Sequence, residues 1–173
     1  MSDKLAWLDK DKATPVDVGM TRADRPDWSP DGKSIVFFGN KALPGLTGPA
    51  RATASFDLWL MPADCDQLPG GCAANVTLLM SDVRNHTSVR WSPDGKWLVL
   101  SADPQGKSEG IWLRNMETGK LVQVLKGDYR HANWSPDGRR LVALGPAPGK
   151  TKIELYDNSS ALYVIDVSLV VGR

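Results

Sequence analysis

A six-residue motif occurs three times in this chain of 173 residues, and it constrains the fold more than any other feature. Its first copy is "WSPDGK" from Trp28, its second is "WSPDGK" from Trp91 and its third is "WSPDGR" from Trp134. A catalytic motif is usually needed once, whereas a structural unit that stacks on itself recurs at intervals. We therefore interpret the motif as the mark of a structural repeat.

The residues of the motif predict a tight hairpin loop. Proline at the second turn position favours a type I turn, aspartate suits the third, and glycine accepts a positive φ at the fourth. A type I turn followed by a left-handed glycine is a common hairpin connection with a bulge. The glycines expected at this position are Gly32, Gly95 and Gly138.

An apolar segment follows each loop: "KSIVFF", "KWLVLS" and "RRLVAL". These segments are too apolar for a sheet with one wet face, so we expect strands that are covered on both faces. Each tryptophan stands at a fixed offset before its loop. We therefore expect Trp28, Trp91 and Trp134 to be largely buried, each filling the gap between neighbouring sheets.

Further repeated segments complete a unit of four strands. The segments "DLWLMPAD", "GIWLRNMETG" and "ALYVIDV" share an aromatic core, and "NVTLLM" and "KLVQVL" read as outer strands. The motif tryptophans are 63 and 43 residues apart, and a propeller blade takes about 40–45. The predicted fold is all-β, a partial β-propeller of about three and a half four-stranded blades.

The predicted organisation is a single domain, 1–173. It comprises a half blade (1–20), a blade (21–80) that carries turn-rich surface insertions at 40–54 and 65–72, a blade (81–126) and a blade (127–173).

The pattern of "WSPDG", then an aromatic strand such as "LYVID", resembles the TolB-like WD-type β-propeller repeat over nearly the whole chain. That family includes the periplasmic Tol-system translocation protein and the propeller domains of prolyl-oligopeptidase-like peptidases. The resemblance implies a propeller that binds a protein or peptide. Family propellers usually have six or seven blades, and this chain departs from that pattern in supplying fewer.

A propeller with too few blades leaves apolar faces open, which promotes association. Two explanations stay open at this stage. The chain is a fragment of a larger propeller, or two copies close one ring as a homodimer, with the half blade of one chain beside the last strands of the other.

The charge balance offers no reason to expect nucleic acid or a membrane as partner. Lysine and arginine number 21 and aspartate and glutamate 20, so the net charge is +1, and no basic run could follow phosphates. The longest apolar stretch, 162–171, is too short for a bilayer span and contains Asp166. We expect no membrane span.

Cys65 and Cys72 flank a turn of proline and glycine, and the chain has no other cysteine. A bridge closing this loop would contribute roughly 2.5 kcal/mol and would indicate a periplasmic or extracellular location, any signal segment being absent from this sequence. Two reduced thiols are the alternative. His86 and His131 lack metal-ligand spacing, so no zinc site and no other cofactor is expected.

Catalytic residues are not predicted. A serine hydrolase of the peptidase kind requires a G-x-S-x-G segment, which the chain lacks. Asp31, Asp94 and Asp137 recur once in each motif copy, and a recurring position in a turn favours a structural role over acid–base chemistry.

The segments that lead into the motif strands contain both histidines and four arginines. In a propeller such segments form a rim of the central channel, and arginine suits carboxylates and chain termini. Ordinary channel polarity is the alternative. The rim residues are Arg22, Arg25, His86, Arg90, Arg130 and His131.

We therefore expect a non-enzymatic scaffold that binds a protein or peptide. The alternative is the propeller part of a prolyl-oligopeptidase-like hydrolase without its catalytic domain.

Overall fold

The computed structural model describes residues 6–9, 12–40, 56–153 and 160–172. The chain divides into two compact units, Met1–Val83 and Arg84–Arg173. Each unit is built from antiparallel strands that follow one another along the chain. The blade boundaries given above stay predictions.

The first unit contains a two-stranded sheet and the first strands of a seven-stranded sheet. Strands β1 (Ala6–Asp9) and β2 (Lys12–Pro15) pair with each other as a hairpin. Strands β3 (Arg22–Trp28), β4 (Ser34–Asn40) and β5 (Phe56–Pro62) pair in sequence, and the start of β6 (Thr77–Trp91) adds to β5.

Short helical turns lie between β5 and β6. A 3-10 helix spans Cys65–Gln67 and α1 spans Gly71–Ala74. These turns cover one face of the β3–β5 sheet together with the segment that precedes β3. The buried residues of this cluster are Val16, Val18, Ala23, Ile35, Phe37, Trp59, Met61, Cys65 and Cys72.

The second unit contains the remaining strands of the seven-stranded sheet and a three-stranded sheet. The remainder of β6 pairs with β7 (Trp97–Pro104), which is followed by β8 (Gly110–Asn115) and β9 (Leu121–Lys126). The other sheet has the order β10 (Arg130–Trp134), β11 (Arg140–Pro146) and β12 (Ser160–Asp166). The helical turn α2 (Ser168–Val171) follows β12.

The two sheets of the second unit pack face to face through an apolar core. The β7–β8 side contributes Val99, Ile111 and Leu113, and the β10–β11 side contributes Ala132, Trp134, Leu141 and Ala143, with Val167 beyond β12. Burial of apolar area of this kind is the main favourable term in folding.

The expected strands are present among the described residues. The segments after the three loops form β4, β7 and β11, and the aromatic segments form β5, β8 and β12. The outer segments form the start of β6 and β9, and the beginning of the chain forms the β1–β2 hairpin. The class of fold is therefore all-β, as predicted.

Burial on both faces is confirmed for β4 and β7 and is wrong for β11. Residues 35–40 and 98–102 are buried without interruption, whereas exposed and buried residues alternate at the start of β11. Val142 is exposed because the described residues place no second sheet on that side of β11.

Of the two predicted insertions, 40–54 lies outside the described residues except for Asn40. The segment 65–72 is exposed in its middle and buried at its two ends. Asp66, Gln67 and Gly70 are exposed, but Cys65 and Cys72 are buried against the sheet because their side chains complete the apolar cluster.

Candidate functional site

The motif forms the same hairpin loop in all three copies. In each loop the glycine amide donates a hydrogen bond to the serine carbonyl three residues earlier, at 2.9 Å in every copy. The φ angles of Gly32, Gly95 and Gly138 are 70°, 70° and 66°. These are left-handed values that favour glycine, so the prediction of the turn is confirmed.

The serine and aspartate of each loop bind each other and the turn amides. Ser29 Oγ donates to Asp31 Oδ1 at 2.6 Å, and the Lys33 amide donates to the same oxygen at 3.1 Å. The equivalent bonds of Asp94 are 2.6 and 3.1 Å, and those of Asp137 are 2.6 and 3.0 Å. The serine Oγ also accepts a bond from the first amide of the next strand, at 2.9 Å in each copy.

This network explains the recurring aspartates. The hydrogen bonds from Ser29 and from the Lys33 amide lower the pKa of Asp31, and those from Ser135 and the Arg139 amide lower the pKa of Asp137. A carboxylate that accepts such bonds favours its charged form. The observed contacts therefore give these aspartates a structural task within the turn.

Trp134 occupies the position predicted for the motif tryptophan. It is 8% exposed, packs in the core between the two sheets of the second unit, and donates from Nε1 to the Arg90 carbonyl at 3.2 Å. A buried indole N–H usually finds such a partner. The prediction that this side chain fills the gap between sheets is confirmed for the third copy.

The same expectation is wrong for Trp28, which is 51% exposed. The segment before β3 covers Ile35 and Phe37 on this sheet but leaves Trp28 in contact with solvent. Trp91 is half-buried and lies between these extremes.

The prediction of a disulfide is confirmed: Cys65 and Cys72 are bonded, with their Cα atoms 4.6 Å apart. Asn75 closes the loop from outside, because its side-chain nitrogen donates to the carbonyls of Pro69 and Gly71 at 3.0 and 2.7 Å. Both cysteines are buried, so the bridge fastens the loop onto the apolar cluster of the first unit.

Two of the rim residues lie on β3 in the first unit. The Arg22 guanidinium lies over the ring of Phe56, 4.9 Å from its centroid, which is a cation–π contact. Arg25 is exposed and has a φ of 52°, at a point where the register between β3 and β4 shifts.

The other four rim residues lie in the second unit, and the structure brings the two histidine-bearing segments together. The His131 amide donates to Thr87 Oγ1 at 3.3 Å, so His131 lies beside the segment that contains His86. Arg90 donates to its neighbouring carbonyl, Val89 O, at 2.8 Å. His131 is exposed, and His86 and Arg90 are half-buried.

Arg130 is held within the protein. Its Nε and Nη2 atoms donate to the two carboxylate oxygens of Asp128 at 2.6 and 2.8 Å. Burial raises the pKa of Asp128, but the hydrogen bonds from Arg130 and from the Ile153 amide together have the larger, opposite effect. The pKa of Asp128 therefore lies below its usual range. The pair is bidentate, which leaves Arg130 less suited to an incoming carboxylate than the sequence suggested.

Asp128 is a residue that the sequence reasoning missed. It is 6% exposed, and it joins Arg130 to the segment around Ile153. The "DYR" spacing places an acid two residues before an arginine, which is the only signal in the sequence. The pKa of Glu109 is raised, mainly by burial and to a smaller extent by the negative charge of Asp128.

Arg25 and His131 occupy the same position in their copies, three residues before the motif tryptophan. Both have a positive φ, at 52° and 55°, and both lie in a β-bulge of the motif strand. In the second copy this position is Ser88, which is buried and donates to Ser101 Oγ at 3.0 Å. The bulge therefore turns a basic or polar side chain outward in the first and third copies alone.

Within the described part of the chain, no group of three or more histidine, cysteine, aspartate or glutamate residues could hold a metal ion. In the same residues no helix is both long enough and apolar enough to cross a bilayer.

The structure is similar to those of propeller proteins. TolB from Acinetobacter baumannii aligns with a TM-score of 0.59 and 19% identity, over 91% of this chain and 32% of that one. An oligogalacturonate lyase in complex with manganese aligns at 0.60 and 15%, over 100% and 43%. The acylaminoacyl peptidase of Pyrococcus horikoshii aligns at 0.54 and 17%, over 83% and 23%.

These likenesses show the fold, which is that of a TolB-like β-propeller protein. This chain spans between about a quarter and under half of the length of the three structures. No protein-family model matches the sequence, and no curated protein matches it significantly.

Proposed function

We propose that this chain is a non-enzymatic propeller scaffold that binds a protein or peptide, and that Arg25 of the first unit and His131 of the second unit each form a separate contact point. The observation that carries the proposal is the pair of bulges that hold these side chains outward with positive φ. Strained backbone of this kind costs about 1–3 kcal/mol per residue and is concentrated at functional sites. Histidine tolerates the left-handed region better than most residues, whereas arginine at that φ is less common.

The charges around these residues indicate the ligand. Arg25 is an exposed cation, and His131 is exposed beside Thr87, whose hydroxyl is a further hydrogen-bonding group. An acidic peptide or a chain terminus suits such groups. Arg130 adds little, because Asp128 already balances its charge.

A location outside the cytoplasm belongs to this proposal. The bond between Cys65 and Cys72 supports it, because disulfides persist in the periplasm and outside the cell and are rare in a reducing cytosol.

The proposal can be tested with a defined probe. Hexaglutamate is titrated into the labelled chain while amide shifts are recorded by NMR, with hexaserine as the neutral control. We expect shifts at Arg25 and His131. The substitutions Arg25→Ala and His131→Ala should each weaken the affinity about tenfold, because a hydrogen bond to a charged group contributes roughly 1.5 kcal/mol.

Lys120→Ala is the matched control, since Lys120 is an exposed cation in the turn between β8 and β9 and belongs to neither bulge. An equal loss of affinity in this variant would mean that only overall charge is sensed. Equal binding of hexaserine, or no shift at either bulge, would refute the proposal.

A second candidate function is the propeller part of a prolyl-oligopeptidase-like hydrolase. The likeness to acylaminoacyl peptidase favours it, since that structure contains the same fold over 83% of this chain. The reading frame of the source gene decides between the two. A G-x-S-x-G segment downstream of Arg173 would favour the hydrolase, because a nucleophile requires that turn.

A further inference from the structure

A serine lies in the core of the second unit at a position where the other two copies of the repeat have large apolar side chains. Ser101 on β7 stands ten residues after its motif tryptophan, as Phe38 does in the first copy and Leu144 in the third. Ser101 is completely buried. Burial of a hydroxyl group is unfavourable unless the group is hydrogen-bonded, so the contacts of Ser101 indicate its role.

The Ser101 hydroxyl binds a backbone amide of the neighbouring sheet. The Ala132 amide on β10 donates to Ser101 Oγ at 3.0 Å, and Ser88 Oγ donates to the same oxygen at 3.0 Å. One residue earlier on β10, the His131 amide donates to Thr87 Oγ1 at 3.3 Å. Two successive amides of β10 are thus bound by hydroxyl groups on β6 and β7.

These amides bind side-chain acceptors because they belong to the β-bulge of β10. The register with β11 shifts between Arg130 and Asn133, so the two residues between them oppose a single residue of β11. Ala132 is 1% exposed, and a buried amide without an acceptor is costly. Ser101 therefore stabilises the bulge, and with it the positive φ of His131.

The first copy has the same bulge but no amide at this point. The bulge of β3 lies between Asp24 and Asp27, and Pro26 stands in the place of Ala132. Proline has no backbone N–H and needs no acceptor. The third copy retains the amide and has a buried hydroxyl opposite it. This difference indicates that the task of Ser101 is to accept the Ala132 amide.

We infer that Ser101 is a positioning residue for the contact point at His131. Ser101 is completely buried and acts through β10 rather than on a ligand. By accepting the Ala132 amide it holds the bulge that turns the exposed His131 side chain outward, and Thr87 supports the same bulge through the His131 amide. The effect on ligand binding rests on the proposed function, whereas the support of the bulge does not.

The support of the bulge is tested by NMR on the full chain without ligand. In the wild-type chain the Ala132 amide should be protected from hydrogen exchange, and His131 should show a strong cross-peak between its own amide and Hα protons, which lie close together at positive φ. Ser101→Ala should speed exchange of the Ala132 amide about tenfold and weaken the His131 cross-peak. Ser108→Ala is the matched control, because the Ser108 hydroxyl binds Gln123 at 3.0 Å rather than β10. It should change neither signal.

The effect on binding is tested with hexaglutamate, again with hexaserine as the neutral control. In Ser101→Ala the affinity measured at His131 should fall about tenfold, as for His131→Ala itself. The affinity measured at Arg25 should keep its wild-type value, because Ser101 and Ala132 both belong to the second unit. A general loss of stability would lower the melting temperature without this difference between the contact points. Ser101→Thr keeps the hydroxyl group and should restore the affinity at His131.

An unprotected Ala132 amide in the wild-type chain would overturn the inference, as would unchanged exchange and an unchanged His131 cross-peak in Ser101→Ala. Wild-type affinity at His131 after loss of the bulge would also overturn it, because the bulge would then not position the contact. A Ser101→Thr variant as weak as Ser101→Ala would assign the effect to packing rather than to the hydroxyl group. If wild-type chain fails to bind hexaglutamate, the proposed function is refuted, and the exchange and cross-peak measurements still decide whether Ser101 holds the bulge.

Discussion

Single residues of the motif act through backbone hydrogen bonds. Serine and aspartate of each copy bind each other and two backbone amides, and glycine supplies the left-handed φ that ends the turn. A single serine or aspartate in a loop is compatible with many types of turn, whereas serine, proline, aspartate and glycine in this order specify one. The faithful repetition of the motif therefore follows from local structure rather than from chemistry on a substrate.

The lowered pKa of Asp31 and Asp137 can be measured by carboxyl NMR titration. Both groups should titrate below about 3.9, the value of an unfolded aspartate. Their contribution to stability is therefore fully present above that pH and is lost as the pH falls through the folded pKa. Ser29→Ala should raise the pKa of Asp31 and leave Asp137 unchanged. An unaltered Asp31 titration would contradict the role of Ser29.

The motif tryptophans should differ in their effect on stability. Trp134→Ala removes a buried side chain and should lower the free energy of unfolding by about 3–5 kcal/mol. Trp28→Ala, at a half-exposed position, should cost less than about 1.5 kcal/mol, nearer to a surface substitution. Denaturant unfolding of both variants measures this. Equal losses of stability in the two variants would contradict this difference between the buried Trp134 and the half-exposed Trp28.

At the scale of elements, the strands follow from the apolar pattern and the loops from the turn residues. The positions of β4, β7 and β11 could be predicted because each begins after an SPDG loop, and the aromatic segments fixed β5, β8 and β12. The open face of β11 could not be predicted, because "RRLVAL" is as apolar as its counterparts and only the arrangement of sheets decides what covers Val142.

The candidate site was less accessible to sequence reasoning. The rim residues follow from their place in the segments before the motif strands, but the two bulges depend on a register shift that leaves no mark in the sequence. The bidentate pair of Arg130 and Asp128 was also missed, because an acidic residue near an arginine is common in loops.

Another element whose contribution can be measured is the loop between Cys65 and Cys72. Replacing both cysteines by alanine should lower stability by roughly 2.5 kcal/mol, since the bridge restricts the unfolded chain. Reduction should add two hydrogens to the intact mass and speed proteolysis of the loop. Asp66→Ala, an exposed control in the same loop, should change stability by at most about 0.5 kcal/mol. Free thiols in protein purified under air would contradict the bridge.

At the scale of the molecule, the beginning of the chain protects an apolar face. Val16 and Val18 are buried in the cluster that contains Ile35, Phe37 and Trp59. Deleting residues 1–20 should therefore expose that cluster and cause aggregation, which light scattering detects. A shorter deletion that starts the chain at Pro15 keeps both valines and should remain soluble. A well-behaved protein after the longer deletion would contradict this role.

The motif marks sheets that stack on one another, and this stacking can be measured in the core between the second and third copies. Nuclear Overhauser effects should link the methyl groups of Val99, Ile111 and Leu113 with the Trp134 ring and with the methyl groups of Leu141 and Ala143. We expect a dense set of such cross-peaks. Their absence from a folded sample would contradict the stacking of the repeats.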